Sequence, residues 1–210
     1  MRLVSYFRST ASWRVRIGLN WKGLAFETEA LDLRTGAQAL PAFRARNPQG
    51  LIPVLELDDG TLLTQSLAIL EWLEEVHPEP PMLPPEPRAR AEARSLALHV
   101  AADIHPVQNL RVLKRVEALA GAQAARAWAA GVIAEGLAAY EARVAGRGGP
   151  FSLGREPSLA DICLVPQLAN ARRFGVDLAP FGRIAAIEAA CAALPAFAAA
   201  RPEAQADFDG

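Results

Sequence analysis

"LIPVLELDDGTLLTQSLAILEWLEEVHP", residues 51–78, sets two strands, a tight turn and a helix side by side. Val54–Leu57 and Thr61–Thr64 flank Asp58-Asp59-Gly60, a hairpin signal because Asp-Gly tolerates the positive φ of a tight turn. Pro53 opens the first strand, where its missing N–H is tolerable, and Ile52 before it is held extended. Such a residue can offer its backbone to a peptide-like ligand as an added strand would; an ordinary edge-strand proline explains the pattern equally. Ser66 caps a helix carrying Leu67, Ile69, Leu70, Trp72 and Leu73, which His77-Pro78 ends. Gln65-Ser66 at that start can seat a carboxylate on unpaired N–H groups and the positive dipole end, or can serve as a plain serine cap.

Upstream, Arg2–Tyr6 is short and apolar, as a first strand is. A helix is expected from near Trp13, where Val15, Ile17, Leu19 and Trp21 mix with Arg14, Arg16 and Lys22, and Lys22-Gly23 makes a stop. Phe26–Leu33 alternates as a half-buried strand does, and a short helix follows over Leu40–Arg46. Residues 1–80 thus read β-α-β-α-β-β-α, an α/β layout opening on a βαβ crossover. Downstream, "HPEPPMLPPEP" has six prolines in eleven residues and suits a stiff linker, assigned to 81–87. Beyond it, Ala/Leu/Arg-rich helical patterning over about 88–119, 122–145, 158–174 and 183–193 predicts an all-α domain spanning 88–210.

With 210 residues, 51% hydrophobic and 21% charged, the chain can bury a sizeable core. Its net charge is −1; 8 basic and 10 acidic residues precede Pro84, and 14 and 13 follow. No basic stripe calls for nucleic acid or an anionic membrane. Cys163 and Cys191 are far apart in apolar patterns and read as core thiols of a reducing compartment; without a metal-ligand spacing, no metal site is expected. "MRLVSYF" is too short an apolar run for a signal segment, and no stretch suits a membrane span, so the expectation is a cytoplasmic protein.

"SYFRSTASWRVRIGLN", residues 5–20, bunches Ser9, Thr10 and Ser12 between Arg8 and Trp13. With Ile-Pro before the third strand, Gln-Ser before the last helix, a proline-rich linker and an all-α second half, the whole chain resembles the cytosolic glutathione transferases. The opening motif resembles the zeta class, patterned Ser-Ser-Cys-x-Trp-Arg-Val-Arg; so do "DIHPVQNLRVL" (103–113) and "LADICLVPQLANARRFGVDL" (159–178). The resemblance implies a thioredoxin-like glutathione-binding domain followed by a helical substrate-binding domain, and a homodimer. It also implies glutathione-dependent isomerisation of maleylacetoacetate or maleylpyruvate in the breakdown of aromatic compounds.

Ser9 matches the serine that activates the glutathione sulfur in that class, with Thr10 beside it. Hydroxyl donors and a helix N-terminus both favour thiolate over thiol; helix capping alone is the competing reading of the same residues. Tyr6 reads as a wall residue rather than the thiol-activating tyrosine of other classes. By the same resemblance Gln38 and His105 face the glycine end or backbone of glutathione, and Ile52 with Pro53 pairs with its cysteine backbone. Gln65 and Ser66 hold its γ-glutamyl carboxylate, and Asn109 lies beside the thiol pocket. Asp103 either meets the γ-glutamyl ammonium across a dimer interface or is a solvated helix charge.

Reversible addition of a nucleophile lets a cis double bond rotate, and the protein's share is to hold carboxylates and developing negative charge. Arginine suits that work because its planar fork pairs bidentately and stays protonated. Arg8, Arg173 and Arg111 match by resemblance. The class cysteine is replaced by Ala11; with Arg111, this tilts the substrate toward maleylpyruvate. A transferase or dehalogenase of small α-halo acids, and a non-catalytic module of the same fold, are the alternatives. Ser158 and Asp161 form an acidic capping box with a folding role.

Overall fold

The structure is a computed structural model and describes residues 1–209. The chain divides into unit 1, Met1–Pro81 with Ala193–Gly210, and unit 2, Met82–Ala192. Residues 193–209, expected at the end of the helical domain, thus group with the α/β unit.

In unit 1 the order is β1 (Arg2–Ser5), α1 (Thr10–Trp21), β2 (Glu27–Ala30), α2 (Pro41–Arg46), β3 (Val54–Glu56), β4 (Leu62–Thr64) and α3 (Ser66–Val76). The sheet order is β2-β1-β3-β4, with β1 parallel to β2 and antiparallel to β3, and β3 antiparallel to β4. Asp58-Asp59-Gly60 makes the β3–β4 turn; Gly60 has φ 84°, and the Asp59 carboxylate accepts from the Thr61 N–H at 2.8 Å.

In helix α1 every residue from Thr10 to Leu19 is buried, the charged Arg14 and Arg16 included. Arg14 and Arg16 are each 1% exposed; Arg16 is tolerable inside because four hydrogen-bond acceptors meet it, and Arg14 places its Nη1 3.4 Å from Ser66 Oγ. Lys22 donates to Glu74 (2.7 Å) and to the carbonyls of Pro78 (3.3 Å) and Pro80 (2.7 Å), which ties α1 to the end of α3 and the proline-rich stretch. The Ile52–Pro53 and Glu79–Pro80 peptides are cis. After α3, the proline-rich stretch carries no regular element up to Pro85. The later part of this unit holds α9 (Pro195–Ala199), which packs on α1.

Unit 2 contains α4 (Pro87–Leu98), α5 (Leu110–Ala120), α6 (Ala122–Val144), α7 (Leu159–Arg173) and α8 (Gly182–Ala192). Its opening residues are not a bare linker: Met82 and Leu83 are buried, and the Met82 carbonyl accepts from the Leu159 N–H at 2.8 Å. The single helix expected over 88–119 is broken. A π-helical segment covers His99–Ile104 and a 3-10 turn covers Pro106–Gln108 before α5 restarts. Pro106 brings no N–H and cannot continue the ladder, and Asn109, extended at ψ 163°, recaps the chain by accepting from the Val112 N–H. Gly136 permits the π segment to lie close, since a Cβ there would sit 2.4 Å from Ile104.

The capping box at the start of α7 forms as expected. The Asp161 carboxylate accepts from the Ser158 N–H (2.8 Å) and hydroxyl (2.9 Å), and also from the Ser152 N–H (2.8 Å). Burial pushes this carboxyl upward in pKa despite those donors. Tyr140 shares a 2.9 Å hydrogen bond with Ser152 in the same buried cluster.

Candidate active site

Sheet register brings the unit 1 candidates to one place. Val4, Val54 and Thr64 are consecutive partners across β1, β3 and β4. Since β1 and β4 run the same way and β3 opposes both, the chain leaving β1, entering β3 and leaving β4 emerges at one end of the sheet. Those three segments are Tyr6–Ser9, Ile52-Pro53 and Gln65-Ser66. The N-termini of α1 and α3 follow directly, so two sets of unpaired N–H groups and two positive dipole ends serve the same end of the sheet.

The first segment is a turn in which the Ser9 N–H donates to the Tyr6 carbonyl at 2.9 Å. Helix α1 starts at Thr10, three residues earlier than the expected Trp13, with Ser9 as its cap: the Ser9 hydroxyl oxygen accepts from the Ser12 N–H at 3.2 Å. Capping and thiol activation are therefore compatible. The cap uses a lone pair of Ser9 Oγ, and its O–H proton remains for another acceptor. Thr10 lies in the first helical turn, 7% exposed, rather than in the loop. Arg8 is exposed, and its guanidinium lies 5.5 Å from the Phe7 ring centre and 5.7 Å from that of Tyr6.

Arg16 sits beneath this turn, donating to the Phe7 carbonyl (2.9 Å), the Tyr6 carbonyl (3.4 Å), Ser5 Oγ (2.9 Å) and the Ala200 carbonyl (3.0 Å). Burial pulls its guanidinium down to about 10, and the charge of Asp207 works against that fall. Arg14 reaches the start of α3, its Nη1 lying 3.4 Å from Ser66 Oγ. The two arginines of "WRVR" thus support the two segments that carry Ser9 and Ser66.

Ser66 is the first residue of α3 rather than its cap. The cap position belongs to Gln65, at φ 68° and ψ 113°, the one positive-φ residue other than glycine among the described residues. Strain of this kind survives where surrounding structure over-determines it, and it concentrates at ligand sites. Gln65 is held by Gln49, which residue-by-residue reading passed over: Gln65 Nε2 donates to Gln49 Oε1 at 2.8 Å. The signal was the Asn47-Pro48-Gln49-Gly50 turn. Asn47 Oδ1 accepts from the Gln49 N–H (3.1 Å) while its Nδ2 donates to the Leu51 carbonyl (2.7 Å). Gly50, at φ 62°, closes it, because a Cβ there would lie 2.9 Å from the Gln38 carbonyl oxygen. Gln38 is thereby brought beside the same loop, its Oε1 buried without a hydrogen-bond partner. Ile52 is 9% exposed and packs with Val4, Tyr6, Phe7, Phe43 and Val54.

In unit 2, exposed Asp103 lies on the π-helical segment and His105 directly after it; such irregular turns recur at functional sites. Asn109 caps α5, and Arg111 is exposed in its first turn. Arg173 ends α7 with its guanidinium 4.8 Å from the Phe174 ring centre. Its neighbour Arg172 makes a bidentate pair with Glu188 at 2.5 and 2.6 Å, so the two adjacent arginines have different tasks. A buried bridge joins the two regions: Asn170 Nδ2 donates to Gln108 Oε1 at 2.8 Å, next to Asn109 in sequence and one turn before Arg173. Neither Gln108 nor Asn170 was a sequence candidate, and nothing local marks them, since each acquires meaning from the other.

Among the described residues, no group of three or more His, Cys, Asp or Glu side chains could hold a metal ion, and no helix is long and apolar enough to cross a membrane.

The family models for the N-terminal and C-terminal domains of glutathione S-transferase match residues 8–76 and 107–202. A maleylacetoacetate isomerase of Rhizobium meliloti (strain 1021) is 48% identical over 204 residues, covering 96% of this chain and 95% of that protein. A solved holo structure of maleylpyruvate isomerase, described as a bacterial zeta-class glutathione S-transferase, superimposes with TM-score 0.96 at 44% identity over 100% of both chains. Maleylacetoacetate isomerase from Anaeromyxobacter dehalogenans 2CP-1, with glutathione bound in its active site, gives TM-score 0.91 at 51% identity, covering 99% of this chain and 97% of that one. Matched along both halves and carrying the serine, Ile-Pro and Gln-Ser segments at one end of its sheet, the chain belongs to the glutathione S-transferase family, in its zeta class.

Proposed function

We propose that the protein is a glutathione-dependent cis–trans isomerase of a maleyl dicarbonyl acid, maleylacetoacetate or maleylpyruvate. The observation that carries this reading is the Tyr6–Ser9 turn, where a helix-capping serine keeps its hydroxyl proton and stands next to an exposed arginine.

The unit 1 residues fit glutathione. Gln65 and Ser66, at the N-terminus of α3, receive the γ-glutamyl carboxylate. The backbone of Ile52 beside Pro53 pairs with the cysteine residue of the tripeptide. Buried Gln38 Oε1 has an open acceptor for a peptide N–H. From unit 2, His105, Asn109 and Asp103 complete the set in this reading. Bound glutathione supplies a thiolate that adds reversibly to the maleyl double bond and departs after rotation about it.

Ser9 donates its hydroxyl proton toward the sulfur while the α1 N-terminus favours negative charge there; both stabilise the thiolate over the thiol. Thr10 shapes the same turn. Arg8, Arg111 and Arg173 hold the acid's carboxylates and the negative charge that develops on its carbonyl oxygen. Ala11 contributes no thiol to the substrate pocket, so activation falls to Ser9 and the α1 N-terminus. We further infer a homodimer in solution and, from the buried thiols of Cys163 and Cys191, a cytoplasmic location.

The test is a coupled assay with each acid and glutathione. Conversion of the cis to the trans isomer with glutathione undiminished is the expected result. Stoichiometric loss of glutathione without isomerisation would replace this reading with transferase or dehalogenase chemistry, and failure to bind glutathione in calorimetry would leave a non-catalytic module. Light scattering reads the oligomeric state.

A further inference from the structure

The segment 200–209 lies far from the Tyr6–Ser9 turn in sequence, touches it at Phe7 through two residues, and reaches it through Arg16 and Arg34 by two more. The Asp207 carboxylate accepts from the Phe7 N–H at 2.9 Å across 200 residues of sequence. Phe208 packs edge-on against the Phe7 ring, 5.4 Å between centres at 90°. The Ala200 carbonyl accepts from Arg16, which donates in turn to the Phe7 and Tyr6 carbonyls. Asp209 pairs with Arg34 at 2.6 Å, and the Arg34 guanidinium lies 5.8 Å from the Tyr6 ring centre.

These contacts bear on one short turn. The N–H of Phe7 goes to Asp207, its carbonyl to Arg16, and its ring contacts both Phe208 and the guanidinium of Arg8. The two bonds hold the two peptide units that flank the Phe7 Cα, and so fix the backbone of the residue that directly precedes Arg8-Ser9. A loop carrying catalytic groups gains most from such support, since small misplacements cost rate.

We propose that Asp207, with Phe208, is a positioning element for Arg8 and Ser9. The segment acts as a strap: it touches neither sulfur nor substrate and works through the Phe7 peptide and ring. This inference rests on the proposed isomerase reading.

The test uses the full chain with Asp207→Ala, Asp207→Asn and Phe208→Ala. In the Asp207→Ala protein, kcat for isomerisation is expected to fall ~10-fold, the scale of one charge-assisted hydrogen bond. The acidic limb of its pH–rate profile is expected to move upward because the thiolate is less favoured, while the KM for glutathione stays within about threefold, its tripeptide anchors being elsewhere. Asparagine keeps an acceptor oxygen, so Asp207→Asn is expected to recover most of the lost rate. Phe208→Ala, which removes the ring packed on Phe7 near Arg8, is expected to raise the KM for the acid.

Two results would overturn the proposal: a kcat and pH profile unchanged in a folded Asp207→Ala protein, or equal losses in the alanine and asparagine variants. Should the alanine variant not fold, hydrogen exchange on the parent decides. A Phe7 amide protected well beyond its exposed neighbours supports the strap; free exchange refutes it. A parent that binds no glutathione and isomerises neither acid counts against the functional reading instead, and the exchange measurement then still reports on the strap.

Discussion

In unit 1 the candidate residues follow strand ends in register and rest on buried arginines, whereas in unit 2 they lie along a broken helix and at helix ends. Val4, Val54 and Thr64 stand side by side, and the turn after Val4 is held from within by Arg16. Helix α5, which carries Arg111, buries none of its residues. A buried side-chain bridge, Asn170 to Gln108, ties the turn before it to α7. Register is a property of many backbone bonds and survives the loss of any one of them; a side-chain bridge is lost with either of its two partners. The unit 1 candidates are therefore held by the sheet, and the unit 2 candidates depend on individual side chains.

The largest effect expected is at Arg16. Arg16→Ala removes the donors serving three carbonyls and Ser5 Oγ, all buried, and should cost ~3 kcal/mol or more in denaturant unfolding. A loss below about 1 kcal/mol would mean the turn is no better supported than an ordinary loop.

Ser9→Ala comes next. Losing a hydrogen bond to a thiolate is worth ~1.5–3 kcal/mol, hence a ~10–100-fold lower isomerisation rate, with ~1 kcal/mol of stability lost as the cap disappears. Full activity with only the stability loss would reduce Ser9 to a cap.

Asn170→Ala probes the other side of the comparison. It leaves Gln108 Oε1 buried without its donor and should cost ~1–3 kcal/mol. Its kinetic mark should be a raised KM for the acid with the KM for glutathione unchanged; equal effects on both would erase the division between the units.

The smallest effect is expected at the solvent-open ion pairs across β2, β1 and β3, where Arg2 and Arg46 alternate with Glu29 and Glu56 at 2.6–3.5 Å. Chiefly through its hydrogen bond, Arg2 holds the Glu56 carboxyl below its ordinary range. The stability this pair contributes is thus present above the usual carboxylate pKa and is lost as pH falls through the lowered one. Glu56→Gln should lower the melting temperature slightly at neutral pH, a difference that closes on acidification. Because these groups are open to solvent, a large shift would contradict the comparison.

What could be read locally was read well. Asp58-Asp59-Gly60 makes its turn, Ser158 and Asp161 make their box, and the strands and helices of residues 1–80 come in the expected order. The misreadings have local causes as well. Helix α1 was expected to begin near Trp13 because Ser9–Ser12 resembles a loop, and burial on all sides removes the apolar period that would have revealed its first turn. Ser66 looked like a cap, yet the preceding residue takes that position in a strained conformation that no residue pattern announces. The helix expected over 88–119 breaks at Pro106, which was visible, and at a π segment, which was not.

The Asp58-Asp59-Gly60 turn, the α7 capping box and the motif around Ser9 were determined by the sequence itself, because each depends on residues a few positions apart. Tertiary structure alone decided why Arg14 and Arg16 are inside, which glutamine holds Gln65, and what pins Phe7. Their partners lie 52, 184, 16 and 200 residues away, and such pairs come into being only when packing brings distant backbone carbonyls and carboxylates within reach of a donor.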